Sequence, residues 1–232
     1  RAGDKPLTRL TSTYMSDSQF GVHADVGRRF GEHQQFGVRM NGLYRDGDTA
    51  VDNQQHRMGL GSLGLDWRGE RLRLSADIYR QRERLDGIDY FGIFSIAPGV
   101  TRLPAPFKGG TNLAAPYLYN INTSTAAMAR AELDITDAVT AYAAYGQQRN
   151  NYDALIAQNS LLNDAGDLTS SLIRQYMKTE ISSGEVGVQG RTRTGPINHA
   201  WALALTSYQS KSGFRNIRNS TDPDFLRRRN IY

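Results

Sequence analysis

Residues 71–81, with the sequence RLRLSADIYRQ, alternate apolar and polar side chains residue by residue. The apolar members are the first four even-numbered residues, Leu72, Leu74, Ala76 and Ile78. Successive side chains of an extended strand point to opposite faces, so this period of two predicts a strand with one apolar face and one charged face. Any fold for this chain must therefore supply an apolar environment on one side of the strand and water on the other.

The same alternation recurs along the chain and predicts about nine strands. They cover residues 7–15, 20–30, 35–45, 55–67, 71–81, 125–135, 138–149, 179–190 and 197–210. Helical spacing of apolar residues is not sustained, and we expect only two short helices within loops, at 154–162 and 168–177.

The connections between these strands differ in length in an ordered way. Short connections are predicted at 31–34, 68–70, 134–137 and 191–196, and long ones at 46–54, 85–121 and 150–178. Antiparallel strands reverse direction at each connection, so all long loops after the short first hairpin, 16–19, lie at one end of the sheet. Loops beyond about 12–15 residues are uncommon in compact domains. Outer-membrane barrels, in contrast, have short periplasmic turns and long extracellular loops.

Strand length favours the same fold. Several alternating segments span about 10 residues or more, whereas globular strands average about 5–6 and tilted membrane strands need about 9–11. We therefore predict an all-β fold, a partial antiparallel transmembrane β-barrel. In it Leu72, Leu74, Ala76 and Ile78 face lipid, while Arg73, Asp77 and Gln81 face the lumen. An arginine at the lipid midplane would cost about 2–4 kcal/mol, which fixes this register. Tyr79 and Tyr145 are expected in an aromatic girdle.

Composition is compatible with this fold but does not require it. The 232 residues include 28 Lys and Arg against 23 Asp and Glu, a net charge of +5, and nucleic-acid binding needs a clustered basic patch rather than a small surplus. The absence of Cys excludes disulfides and thiolate metal sites. No apolar run approaches the roughly 18–20 residues of a membrane helix. A soluble protein and a transmembrane barrel share these statistics, since only alternate barrel residues meet lipid.

Residues 5–84 resemble the start of the barrel of TonB-dependent siderophore receptors. KPL at 5–7 resembles the exit from the plug domain of that family, and residues 21–46 and 63–87 resemble its next strands and hairpins. Residues 125–151 resemble a later hairpin of the family, which carries Glu132 and a tight turn. The sequence departs from the family in lacking the N-terminal plug, the energy-coupling box and the later strands.

This resemblance implies that residues 1–232 are a barrel fragment of an outer-membrane receptor of a Gram-negative bacterium that binds and imports ferric siderophores. Family barrels have about 22 strands around a plugged lumen, so the predicted strands cannot close one alone. The implied partners are a ferric siderophore, TonB acting through the missing plug, outer-membrane lipid and lipopolysaccharide, with no nucleic acid. We expect no enzymatic activity and no cofactor, because iron enters only as a ferric chelate.

The long loop 85–121 carries aromatic residues among glycines and prolines, with two cations that would attract an anionic ferric complex. The candidate ligand-binding residues are Tyr90, Phe91, Phe94, Arg102, Phe107, Tyr117 and Tyr119, with Lys108 as a second cation. Exposed aromatic side chains bury a large area against an organic chelate at little entropic cost. The alternative is that they pack the loop onto its neighbours.

Other motifs favour structural explanations. The sequence GLGSLG at 59–64 matches a dinucleotide-binding pattern, but a tight turn and a strand follow it instead of a helix. The four histidines show no metal-ligand spacing, and Glu132 with Asp134 fits a solvated charge ladder better than an acid–base pair. The three arginines at 227–229 fit a solvated loop or a lipopolysaccharide contact. The alternatives to a siderophore receptor are another barrel such as a substrate-selective porin, a soluble β-sandwich binding module and, least favoured, an enzyme.

Overall fold

The computed structural model describes residues 1–15, 17–88, 92–105, 108–218 and 227–230, and these form a single β-sheet. The strands are β1 (Leu7–Met15), β2 (Gln19–Phe30), β3 (Phe36–Asp48), β4 (Gln55–Arg68), β5 (Leu72–Asp86), β6 (Ile93–Ile96), β7 (Tyr119–Thr136), β8 (Val139–Leu161), β9 (Asp167–Thr194), β10 (Ile197–Arg218) and β11 (Arg227–Asn230). Within these ranges no helix has the length and apolar character needed to span a bilayer.

The sheet follows the order of the chain. Its main path runs β1-β2-β3-β4-β5-β7-β8-β9-β10, and each strand is antiparallel to its neighbours. The short β6 pairs in parallel with the end of β8, and β11 pairs with the start of β9. The prediction of an all-β, antiparallel partial barrel of about nine strands is confirmed. The nine predicted strands correspond to the nine strands of this main path, several of which extend further than predicted. Residues 49–54, 87–118 and 162–166 connect strands at one end, here called the long-loop end.

The predicted register is also confirmed. Leu65, Ala76 and Ala129 are directly paired across β4, β5 and β7, so their side chains share one face of the sheet. This outer face is apolar and exposed: Leu74 is 43% and Ile78 50% accessible. The outer face therefore carries apolar side chains over a continuous area, as a wall in contact with hydrocarbon would.

The opposite, inner face holds its charges in pairs. Arg29 and Asp66 lie 2.7 Å apart across two strands, and their side chains are only 3% and 7% exposed. Arg73 donates to Glu132 at 3.1 Å and to both carboxylate oxygens of Asp134. Charge-assisted hydrogen bonds of this kind compensate the desolvation of the ionised side chains on the inner face. One side of each strand can therefore carry many ionised groups.

The two predicted helices are wrong. Residues 154–161 belong to β8 and 168–177 to β9, where Ile156 pairs directly with Ile173 and Leu161 with Leu168. All four side chains are fully buried, although Ile156 and Leu161 point to opposite faces of β8. A strand that is buried on both faces loses its alternation, and periodicity alone cannot distinguish it from a buried helical segment.

The predicted loops are consequently shorter than expected. The connection predicted at 150–178 contracts to 162–166, where the Asn163 side-chain oxygen accepts from the amides of Ala165 and Asp167 at 3.1 Å. Gly166 in the same turn has a φ of 85°, a conformation that favours glycine. The β3–β4 connection contracts to 49–54, and the β5–β7 connection contains β6.

The tightly packed core lies at the long-loop end. The largest fully buried side chains among the described residues are Leu118, Ile156, Leu161, Leu168, Ile173 and Asn159. They come from β8, β9 and the long connection that precedes β7. Apolar side chains on the outer face of the other strands stay exposed in this chain, whereas those at the long-loop end are buried by one another.

Candidate ligand-binding surface

The long connection 87–118 is fastened to the β3–β4 hairpin at one side. The Asn112 side-chain amide donates to the carbonyl oxygens of Asp52 at 2.7 Å and Gly87 at 2.8 Å. The Asp52 amide donates to the Gly110 carbonyl at 2.8 Å. Three separate pieces of backbone are therefore held together by one side chain and one main-chain bond.

The same connection is fastened to the β8–β9 hairpin at the other side. The buried Asn159 side chain donates to the Gly92 carbonyl at 2.7 Å and accepts from the Ser170 hydroxyl at 2.6 Å. The hydroxyl oxygens of Ser95 in β6 and Ser160 in β8 lie 2.6 Å apart. A loop that sequence alone presents as irregular is thus ordered by pairing with a neighbouring strand.

Asp164, in the turn between β8 and β9, makes a further contact with this connection. Its carboxylate accepts from the hydroxyl and amide of Thr101 and from the amide of Arg102. These hydrogen bonds hold the pKa of the Asp164 carboxyl below its usual value of 3.8, and the bond from the Thr101 hydroxyl has the largest effect. The contact therefore persists throughout the range near neutral pH.

The predicted site residues do not all share one surface. Tyr90, Phe91 and Phe107 lie outside the described residues. Phe94 and Tyr117 are 54% and 43% exposed at the long-loop end, and Arg102 and Lys108 are also exposed.

Tyr119 lies on the outer face of the sheet instead. It is the first residue of β7, with the Arg84 guanidinium 5.2 Å from its ring centroid and its hydroxyl 3.4 Å from an Asp153 carboxylate oxygen. This position turns Tyr119 away from the inner face beneath the loops.

The sequence-based reasoning missed a polar patch on the inner face, made by Tyr79, Ser124, Gln148 and Asn150. The Gln148 amide lies 3.4 Å from the Tyr79 hydroxyl, 3.2 Å from the Ser124 hydroxyl and 3.2 Å from the Asn150 side-chain oxygen. Its members are uncharged and combine donors with acceptors, as recognition of a polar organic ligand requires.

Tyr79 therefore does not belong to an outward aromatic girdle, contrary to expectation, whereas Tyr145 is outward and 53% exposed. The parity of residues 71–81 already placed Tyr79 with Asp77 and Gln81, and that signal identifies its face correctly. In the described part of the chain, no three His, Asp or Glu residues are grouped as ligands for a metal ion.

These features define a class of protein, a segment of a transmembrane β-barrel wall that carries a packed structure at one end. No family model matches the sequence. It is 37% identical over 223 residues to the ferrichrome receptor FcuA of Yersinia enterocolitica, covering 96% of this chain and 29% of that protein. BauA, the ferric preacinetobactin receptor of Acinetobacter baumannii, superposes with a TM-score of 0.88 at 38% identity, covering 100% of this chain and 34% of BauA.

A more distant structure supports the fold alone. FpvA of Pseudomonas aeruginosa, bound to pyoverdine, superposes with a TM-score of 0.86 at 12% identity over 98% of this chain. Over nearly its whole length the chain is thus similar to part of each of two receptors for ferric siderophores. It spans only 29% and 34% of the lengths of FcuA and BauA.

Proposed function

We propose that the protein containing this chain is a TonB-dependent receptor that binds ferric siderophores at the outer membrane and imports them. The observation that carries this proposal is the identity of 37–38% along nearly the whole chain to two receptors for ferric siderophores. In this proposal iron arrives as part of its chelate, and the chain holds no resident cofactor, catalyses no reaction and binds no nucleic acid.

The rest of the receptor, in this proposal, is a plug and further barrel strands. β1 and β10 end the main path of the sheet, and an open edge within a bilayer is costly because its backbone groups have no water to bind. Residues before β1 already lie on the inner face: Arg1 is 3.3 Å from Asp77, and Asp4 is 2.8 Å from Arg68. The position of residues 1–4 on the inner face supports a plug domain inside the lumen, and TonB would act on that plug.

The proposed ligand surface combines the exposed loop side chains with the inner polar patch. Phe94 and Tyr117 supply apolar area, Arg102 supplies positive charge, and Tyr79 with Gln148 supplies hydrogen bonds below them. A siderophore entering from the long-loop end would meet the loop residues first and the patch second.

The experiment that tests this proposal measures iron uptake by cells that carry or lack the full-length receptor. Radioactive ferric ferrichrome and ferric preacinetobactin, the chelates bound by the two relatives, are the first probes. Uptake that requires both the receptor and a functional TonB protein is the expected result. TonB-independent uptake, or unaltered iron-limited growth of the deletion strain on every chelate tested, would reject the proposal.

Substitution within the polar patch tests the site itself. Tyr79→Phe removes one hydroxyl from the inner face, and a hydrogen bond is worth about 0.5–1.5 kcal/mol, or roughly two- to thirteenfold in affinity. Tyr145→Phe is the matched control, because the Tyr145 hydroxyl lies on the outer face, where it accepts a hydrogen bond from the Gln147 amide. Affinity of the purified receptor for the transported chelate should fall only for Tyr79→Phe, and equal affinities would remove the patch from the ligand site.

A further inference from the structure

The inner face of β7–β10 carries no ionised side chain over one continuous area. The area consists of every second residue, counted from the first, of four segments that pair across the ladder, 120–128, 146–154, 175–183 and 208–216. Its side chains are amides, hydroxyls and apolar groups, and three of the four members of the polar patch belong to it. These residues are here called the neutral surface.

The charged side chains of the same four segments all point outward. They are Arg149, Asp153, Lys178, Glu180, Lys211 and Arg215. The apolar band of the outer face ends at this level, since on β5 the outward side chains change from Ile78 to Arg80. The sequence therefore supplies charge to this part of the sheet but keeps it on the side away from the lumen.

Charges return to the inner face of these strands below the neutral surface, and there they have partners. Arg130 and Glu185 occupy the next row of the ladder towards the short turns. The Arg130 guanidinium lies 2.7 Å from a Glu132 carboxylate oxygen. Glu185 accepts a hydrogen bond from the Thr206 hydroxyl at 3.1 Å. The positive charge of Arg130 is therefore already offset by a carboxylate of this chain.

On β1–β5, the inner face at the same level carries charges of both signs. Asp25 pairs in the ladder with Arg9, and its carboxylate lies 2.7 Å from the Arg39 guanidinium. Arg45 and Glu83 occupy one row of the ladder, two strands apart. Positive and negative groups thus interleave on this part of the wall and form no cationic surface.

We propose that the chelate recognised at the neutral surface has no net negative charge, as in a ferric tris-hydroxamate, and that the receptor discriminates against trianionic ferric tris-catecholates. This inference rests on the transport function proposed above and adds the charge class of the substrate. Similarity alone does not decide that class, because the two relatives are named for different chelates.

The physical reason is the cost of removing charge from water. A trianionic chelate that packs against the neutral surface loses hydration and meets no cation there to compensate it. An uncharged chelate instead presents carbonyl oxygens and other polar groups, for which Gln148 and Asn150 supply amide donors and Ser124 a hydroxyl. The Arg102 charge in the long connection does not alter this balance, because it already interacts with the Asp164 carboxylate.

The test measures the affinity of the purified full-length receptor for ferric chelates of two charge classes, by quenching of tryptophan fluorescence. Ferrichrome and ferrioxamine E are the uncharged tris-hydroxamates, and ferric enterobactin and its synthetic analogue ferric MECAM are the trianionic tris-catecholates. The tightest-binding uncharged chelate should bind about tenfold or more tightly than the tightest-binding trianionic one. Equal affinities, or tighter binding of a catecholate, would overturn the proposal.

Two adjacent substitutions on β7 test whether this wall meets the chelate. Ser124→Lys places a cation on the neutral surface, whereas Thr125→Lys places the same side chain on the outer face and is the control. A nearby cation attracts a trianionic chelate, so Ser124→Lys should raise the affinity for ferric enterobactin relative to ferrichrome by about fivefold or more. The same ratio of affinities in both variants would overturn the proposal.

Uptake by cells distinguishes this inference from the transport function on which it rests. TonB-dependent uptake of the hydroxamates in preference to the catecholates is the expected result. TonB-dependent uptake with the opposite preference would overturn the charge class and leave the transport function standing. The absence of TonB-dependent uptake of every chelate would instead reject the transport function itself.

Discussion

Replacing Ala76 by arginine tests the physical basis of the fold most directly. Ala76 is exposed on the outer face and paired between Leu65 and Ala129, two neighbours that offer no carboxylate. It lies four residues before Arg80, about 13 Å along the strand, and is thus well inside the apolar band. An arginine costs about 2–4 kcal/mol at the lipid midplane and about 0–1 near the interface, so we expect about 2 kcal/mol here.

The adjacent substitution Ser75→Arg supplies the comparison. Ser75 is half-buried on the inner face and paired with Asp66 on β4, whose Oδ2 atom has no partner among the described residues. A guanidinium there would have a carboxylate and water nearby. We expect a change within about 0.5 kcal/mol, as for an ordinary surface substitution.

Urea-induced unfolding of the full-length receptor in lipid vesicles, followed by tryptophan fluorescence, measures both variants. A lower free energy of unfolding for Ala76→Arg than for Ser75→Arg is the expected result. Equal losses, or a larger loss for Ser75→Arg, would show that hydrocarbon does not lie against Leu74, Ala76 and Ile78, and the membrane interpretation would then fail.

Three further predictions concern the inner face and the loops. Gly37→Ala would place a Cβ atom 2.1 Å from Asp66 Oδ2 and 2.7 Å from Arg29 Nη1. It should therefore break the buried Arg29–Asp66 ion pair and lower the free energy of unfolding by about 3 kcal/mol or more in the same assay. Gly42→Ala on the same strand is the control, because a Cβ atom there meets nothing within 4 Å, and it should lower the free energy of unfolding by at most about 1 kcal/mol. Because the folded-state pKa of Asp164 is depressed, its contact with Thr101 contributes fully above its unfolded pKa and is lost as pH falls through the lower folded value. Hydrogen exchange at Thr101 and Arg102, corrected for intrinsic rates, should therefore stay slow from pH 7 to about 5 and accelerate only below about 4, whereas Asp164→Asn should accelerate it throughout; a transition near neutrality would contradict the assignment. Asn112→Ala removes the bonds to Asp52 and Gly87, so proteolysis within residues 108–115 should accelerate while the midpoint of barrel unfolding stays unchanged, and a shifted midpoint would show that the loop supports the wall.

The sequence predicted the wall of the sheet well because each wall strand has two different environments. On β5, Leu74 and Ile78 meet the apolar side while Arg73 finds Glu132 and Asp134 on the other. Alternation records that difference directly, so strand, face and register could all be inferred locally. No contact between distant segments was needed.

The long-loop end was predicted poorly because its order depends on contacts between distant segments. Ile156 and Ile173 are buried through the pairing of β8 with β9, and both faces of that hairpin are covered. Asn112 and Asp164 hold loops together through backbone groups far away in sequence. A local pattern carries no signal for such contacts, so the inner polar patch and the fastened loop were accessible only from the structure.

The outer face carries one more quantity that the sequence encodes, the tilt of the strands. The outward side chains turn from apolar to polar at Asp46 on β3 and at Gln147 on β8. Successive pairings across β4, β5 and β7 place Asp46 directly opposite Asp153 of β8, four strand spacings or about 19 Å away. On β8, however, the change to polar side chains occurs at Gln147, six residues or about 20 Å further from the long-loop end. A flat membrane surface crosses the ladder at that slope only if the strands tilt by about 45° from the membrane normal, at the upper end of the roughly 35–45° of outer-membrane barrels. Arg80 on β5, between the two, lies two residues above the level of Gln147, as one continuous boundary requires.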